Sequence, residues 1–143
     1  MEAIHILLVE DNEGDILLIS EALEEWRTPH SLSIVRNGLE AIDYVFRKNG
    51  NAESPEPSLI FLDMNLPIRG GLEVLEIIKS DPSTRHIPVL MFSTSSSPAD
   101  IRKAYAAQAN AYVIKPVEIN EFAEAISSIE NFWLKTTRLP VKN

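Results

Sequence analysis

The chain has 143 residues, 13 Lys and Arg against 21 Asp and Glu, a formal charge of −8 and no cysteine. That length suits one domain with a substantial core. The acidic balance argues against tracking a nucleic-acid backbone, and the lack of thiols excludes disulfides and thiolate metal sites. No apolar run approaches the ~20 residues of a membrane span, and the start, Met1 to His5, lacks the basic and apolar regions of a signal peptide. The chain reads as cytoplasmic.

Ile4 to Val9 is nearly apolar throughout, as expected of a strand covered on both faces, and it runs directly into Glu10-Asp11-Asn12. Ile16, Ile19, Leu23 and Trp26 then mark one side of a helix, with Asn12 or Asp15 as N-cap and an end at Thr28-Pro29. Leu32 to Val35 is a short second strand. Asn37-Gly38 turns the chain into a second helical face of Leu39, Ile42, Val45 and Phe46. Asn49 to Pro57, rich in Asn, Glu, Ser and Pro, reads as an exposed loop.

Leu59-Ile60-Phe61-Leu62 is too short for a buried helix and right for a buried strand. Asp63 follows at once, at the carboxyl end of a central strand, where open α/β sheets place their ligands. A third helix carries Leu72, Leu75 and Ile78 and stops near Asp81-Pro82. Ile87 to Phe92 is a fourth strand ending in Ser93. Ser97, Pro98 and Asp100 form a helix start, and the alanine-rich helix behind them has little bulk to anchor it. Ala111 to Ile114 is a fifth strand delivering Lys115-Pro116. The last helix carries Ile119, Phe122, Ala123, Ile126, Ile129 and Trp133 at spacings of three and four. Strand and helix alternate five times, which predicts a flavodoxin-like (βα)5 α/β fold: a five-stranded, parallel, doubly wound sheet with helices on both faces.

A parallel sheet brings the strand ends to one edge: Glu10 and Asp11, then Asp63, Ser93 and Lys115. Crowded carboxylates repel unless a cation neutralises them, and hard oxygen donors without His or Cys suit Mg²⁺. A hydroxyl and an ammonium alongside are what the other oxygens of a transferred phosphoryl group require. Each residue alone is an ordinary loop or helix-entry residue. Their occurrence at the ends of four strands points to a phosphoryl site.

With these motifs in view, the chain resembles a receiver domain of the two-component response-regulator family. The matching segments are Val9 to Asn12, Leu62 to Pro67 with Gly70-Gly71, Val89 to Thr94, and Tyr112 to Pro116. The resemblance implies a receiver over residues 1–134 and a tail over 135–143 with no output domain. It implies that Asp63 accepts a phosphoryl group from a phosphohistidine of a sensor histidine kinase or phosphotransfer protein. It makes Asp11, Asp63 and the Asn65 main-chain carbonyl ligands of Mg²⁺, with Glu10 acting through a metal-bound water. Ser93 would bond a phosphoryl oxygen, Lys115 would pair with Asp63 and then with that group, and Tyr112 would be the aromatic of the switch. It implies a cis bond at Lys115-Pro116 that aims the ammonium inward, and positions Asn65 and Ser95 to tune attack by water.

Three residues depart from the family pattern. Ser93 stands where Thr is commoner, and Thr94 where a small residue is usual, which narrows access. Gln108 stands where Gly is frequent, so Asn110 is expected to take the left-handed conformation. The loop Asn49 to Pro57, the segment Ala109 to Tyr112 and Phe132-Trp133-Leu134 are similar to stand-alone receivers that partner phytochrome histidine kinases. That likeness implies red and far-red light as the signal. It also implies a homodimer, and the surplus of apolar residues in Phe132, Trp133 and Leu134, with Leu139, Pro140 and Val141 behind them, places its contact on the last helix and tail, with the fourth helix and fifth strand nearby.

Two other chemistries compete. A haloacid-dehalogenase-type phosphatase also uses an Asp after a strand with Mg²⁺, but it needs a second acid where this chain has Asn65. A flavodoxin-like flavin protein would place its phosphate loop after the first strand, where Glu10 and Asp11 repel phosphate.

Overall fold

The structure, a computed structural model, describes residues 3–140. Val141 of the expected dimer surface and Met1-Glu2 lie outside the described residues. Five strands, β1 (Ile4–Val9), β2 (His30–Val35), β3 (Leu59–Leu62), β4 (Val89–Ser93) and β5 (Ala111–Ile114), alternate with five helices. The helices are α1 (Glu13–Glu24), α2 (Gly38–Val45), α3 (Gly71–Ser80), α4 (Pro98–Ala106) and α5 (Ile119–Ile129). The sheet is parallel throughout, in the order β2-β1-β3-β4-β5.

The apolar runs of the strands are explained by which face each residue serves. Leu7, Val9, Ile60, Leu62, Val89 and Met91 pack on one side with residues of α2, α3 and α4. Ile6, Leu8, Phe61, Leu90 and Phe92 pack on the other with α1 and α5. Successive side chains of a strand point to opposite faces, so a strand covered twice admits no polar alternation.

Asn12 caps α1, its side chain accepting from the Asp15 N–H, and Ile16, Ile19, Leu23 and Trp26 are buried as the spacing predicts. The face of α2 is rotated from the expected one. Ala41, Tyr44 and Val45 are buried while Leu39 is exposed. Tyr44 can go inward because its hydroxyl finds partners, the His5 ring at 2.7 Å and the Pro55 carbonyl at 3.2 Å. On α5, Phe122, Ile126 and Ile129 form the buried row, whereas Ile119 and Ala123 are exposed. Ile119 opens the helix, above the sheet edge, and Ala123 is one residue out of phase with the row.

Ser97 caps α4 with Pro98 in its first turn, and Ala104 is the buried residue of that helix. Gln108, not Asn110, takes the left-handed conformation, at φ 78°. Asn110 is instead held against β4, exchanging hydrogen bonds with Val89 through its N–H and side-chain oxygen, both 2.9 Å. α5 continues into a π-helical stretch, Glu130–Thr136, from which Trp133 and Leu134, with Leu139, pack back on the α1–α5 side of the core. Phe132 remains exposed.

Candidate functional site

β1, β3, β4 and β5 end together, and the polar residues that follow them meet at that edge. Asp63 follows β3 and is tied to the end of β1 by its N–H, which donates to the Val9 carbonyl at 3.1 Å, and its carboxylate is nearly buried. Behind it, α3 approaches so closely that a Cβ on Gly71 would lie 2.0 Å from the Asp63 carbonyl oxygen. On the other side of the same loop, a Cβ on Gly38 would lie 2.0 Å from the Arg69 carbonyl oxygen. The segment Asp63 to Gly71 is clamped between two helix starts that tolerate no side chain.

Lys115 enters from the end of β5, its N–H donating to the Ser93 carbonyl at 2.7 Å. Its ammonium is buried and donates to Glu10 Oε1 at 2.5 Å, Asp15 Oδ2 at 2.9 Å and Asp63 Oδ2 at 3.0 Å. The Lys115-Pro116 bond is trans, as are all peptide bonds among the described residues, so the expected cis bond is corrected. The trans form is the ordinary preference of an X–Pro bond. The ammonium points inward because three carboxylates draw it there.

The electrostatics follow from burial. Desolvation pushes the Glu10 carboxyl up to about 7; the Lys115 hydrogen bond opposes this and the Asp63 charge reinforces it. Burial alone would lower the Lys115 ammonium, but the hydrogen bonds to Glu10 and Asp15 and the Asp63 charge outweigh it, and the net direction is up. One ammonium among three carboxylates leaves an excess of negative charge, which a proton on Glu10 partly relieves.

Glu10, Asp11 and Asp63 each offer a carboxylate oxygen, all within 4.8 Å of one another. Glu10 and Asp63 are buried, and Asp11 is exposed at the mouth. All-oxygen donors with one open side fit a hard divalent cation that keeps waters. Asn65 is exposed two residues beyond Asp63, and its N–H donates to Asp63 Oδ1 at 3.1 Å. Ser93 is fully buried, its oxygen accepting from the Ser95 N–H at 3.3 Å, and Thr94 is exposed. Tyr112 is half-buried, its hydroxyl donating to the Ser95 carbonyl at 2.9 Å. Every expected site residue but Tyr112 thus lies at this edge or on the loops around it; Tyr112 lies within β5 and reaches the edge through its hydroxyl.

Sequence reasoning assigned Asp15 only a helix-capping role and missed its contact with Lys115. With Asn12 as cap, Asp15 falls in the first turn of α1, and helical side chains lean toward the N-terminus, here toward the strand ends.

The model of the response regulator receiver domain matches residues 6–127. The chain belongs to that family. Among curated relatives, the response regulator Rcp1 of Synechocystis sp. is 38% identical over 135 residues, 94% of this chain and 92% of the relative. The crystal structure of the phosphorylated cyanobacterial phytochrome response regulator RcpA superposes with a TM-score of 0.95 at 42% identity. That comparison covers 98% of this chain and all of the other. The Mn²⁺-bound form of Rcp1 gives a TM-score of 0.92 at 38% identity, covering 96% of this chain and 99% of that one. The receiver is therefore a signalling protein of flavodoxin-like fold, and the phosphatase alternative finds no support. No described helix is long and apolar enough to cross a membrane.

Proposed function

We propose that this chain is a response-regulator receiver that takes a phosphoryl group onto Asp63 from a phosphohistidine of a sensor kinase or phosphotransfer protein. The observation that carries the reading is the Asp63 carboxylate, nearly buried at the end of β3, 3.0 Å from the Lys115 ammonium and in reach of Glu10 and Asp11. A carboxylate oxygen of Asp63 attacks phosphorus and forms the O–P bond of an acyl phosphate. The P–N bond breaks, and its electron pair returns to the imidazole nitrogen of the donor. A carboxylate nucleophile carries no proton to remove, so no base is needed. Lys115 meets the charge gathering on the phosphoryl oxygens, and the Ser93 hydroxyl donates to one of them after transfer.

Mg²⁺ is the cation we assign to the cluster, held by Asp11, Asp63 and the Asn65 carbonyl, with Glu10 reaching it through water; bound there it neutralises oxygen charge. Loss of the group is hydrolysis by water at phosphorus, with Asn65 and Ser95 beside its path. In this reading the chain promotes both its own phosphorylation and its own dephosphorylation. In the same reading the receiver ends at residue 134.

The likeness to RcpA and Rcp1 supports a phytochrome-type kinase as donor, and with it red and far-red light as the signal. We also propose a homodimer. Because Trp133 and Leu134 pack on the core, we place that contact on exposed Phe132, in the π-helical continuation of the last helix.

Incubation with acetyl phosphate and Mg²⁺, followed by intact-mass measurement and peptide mapping, tests the central claim. Wild type should gain the mass of one phosphoryl group, mapped to Asp63, and Asp63→Asn should gain none while remaining folded. Labelling of the variant to the wild-type extent would overturn it.

A further inference from the structure

An ammonium has three N–H donors, and those of Lys115 are all used: Glu10 Oε1, Asp15 Oδ2 and Asp63 Oδ2. If Asp63 carries a phosphoryl group and Lys115 is to bond one of its oxygens, one present acceptor has to leave. The three are not equal. The Glu10 side chain is 1% exposed, so water cannot take the ammonium's place on it. Asp63 Oδ2 passes its donor to the group it comes to carry, so a second donor for the phosphoryl oxygens comes free only if Glu10 or Asp15 lets go. The Asp15 side chain is 25% exposed, so water can replace the ammonium on it. Asp15 is also anchored independently of Lys115, because its N–H is capped by Asn12 Oδ1 at 2.9 Å. Releasing Lys115 leaves the first turn of α1 intact.

We propose that Asp15 is a positioning residue that holds the third Lys115 donor in the resting protein, in the place a phosphoryl oxygen later takes, and so competes with the acyl phosphate for that ammonium. The inference rests on the reading of Asp63 as phosphoacceptor. It assigns Asp15 a role in setting how readily the phosphorylated state forms and how long it lasts. A carboxylate holds an ammonium more strongly than an amide does, so Asp15→Asn should free the donor for the phosphoryl group.

The test is calorimetric titration of the full chain with beryllofluoride, an acyl-phosphate mimic, in saturating Mg²⁺. Asp15→Asn should bind it about tenfold more tightly than wild type, the factor for exchanging one charge-assisted bond for a neutral one. Asp15→Glu, which keeps the carboxylate, should return toward wild type. Glu13→Gln removes a neighbouring carboxylate that is engaged with Arg36 and does not touch Lys115, and should change little. Unchanged or weaker binding by Asp15→Asn overturns the proposal, as does equal tightening by Glu13→Gln, which would signify bulk charge. Wild type that binds no beryllofluoride, or binds it equally after Asp63→Asn, would overturn the phosphoacceptor reading itself.

Discussion

Replacing Glu10 with glutamine removes the most deeply buried charge of the site and keeps its shape. Burial, with Asp63 adding to it and Lys115 opposing, pushes the Glu10 carboxyl from 4.5 to about 7. A carboxyl raised on folding binds its proton more tightly in the folded protein. Its contribution to stability is complete below pH 4.5 and is lost as pH rises through about 7. At ~1.4 kcal/mol per pH unit the loss across that window is about 3 kcal/mol. Glu10→Gln cannot titrate there. In metal-free buffer with a chelator, the difference in stability between the two proteins should therefore move by about 3 kcal/mol in the variant's favour across the window, then level off. Urea unfolding reads this as a relative midpoint shift of about 1–3 M, for a slope of ~1–3 kcal/mol/M. Saturating Mg²⁺ should shrink the shift, since a cation beside the carboxylates favours their ionised forms. Wild-type and variant stabilities that run parallel in chelator across the whole window would refute Glu10 as the group that takes the proton.

Gly71→Ala should lower stability by about 3 kcal/mol or displace the Asp63 loop, because overpacking here meets backbone rather than a pliable side chain. A thermal melt and a phosphorylation rate both at wild-type values would show that α3 can back away freely. Phe132→Ala should weaken self-association in light scattering with little change in melting temperature. Trp133→Ala should do the reverse, losing about 2 kcal/mol of packing from a half-buried indole. Association lost in the second variant and kept in the first would move the interface.

The fold was legible because each strand is a short apolar run ended by a residue of distinct chemistry, and because alternation with helices forces a parallel sheet. The gathering of Glu10, Asp11, Asp63, Ser93 and Lys115 follows from that topology alone. What escaped depended on partners that no local pattern announces. Tyr44 is buried, and α2 rotated, because a hydroxyl could reach His5 and Pro55 from elsewhere in the chain. Gln108 takes a left-handed backbone that favours glycine because Asn110 is committed to bonding Val89. Asp15 looked like a capping residue, and its bond to Lys115 spans one hundred positions. Periodicity gives the direction of a side chain, and only the assembled sheet says what waits there.

The path from chemistry to response can be followed bond by bond at the end of β4. The Ser93 oxygen accepts from the Ser95 N–H, which leaves its own O–H free to donate. That side chain is fully buried, so reaching an oxygen on Asp63 means moving outward and drawing on the Ser95 bond. Ser95 cannot follow alone. Its carbonyl accepts from Tyr112 on β5, and its hydroxyl donates to Asp100 on α4 at 2.6 Å. Lys115, tied to the Ser93 carbonyl by its own N–H, pulls on the same strand end. The load therefore falls on α4, which buries Ala104 and little else, while β1 and β3 are held from both faces. Local displacement is cheapest where the least apolar surface is anchored. A phosphoryl group on Asp63, under the proposed function, would thus be felt first along α4 and β5, the side of the molecule on which Tyr105 and Ile114 stand exposed.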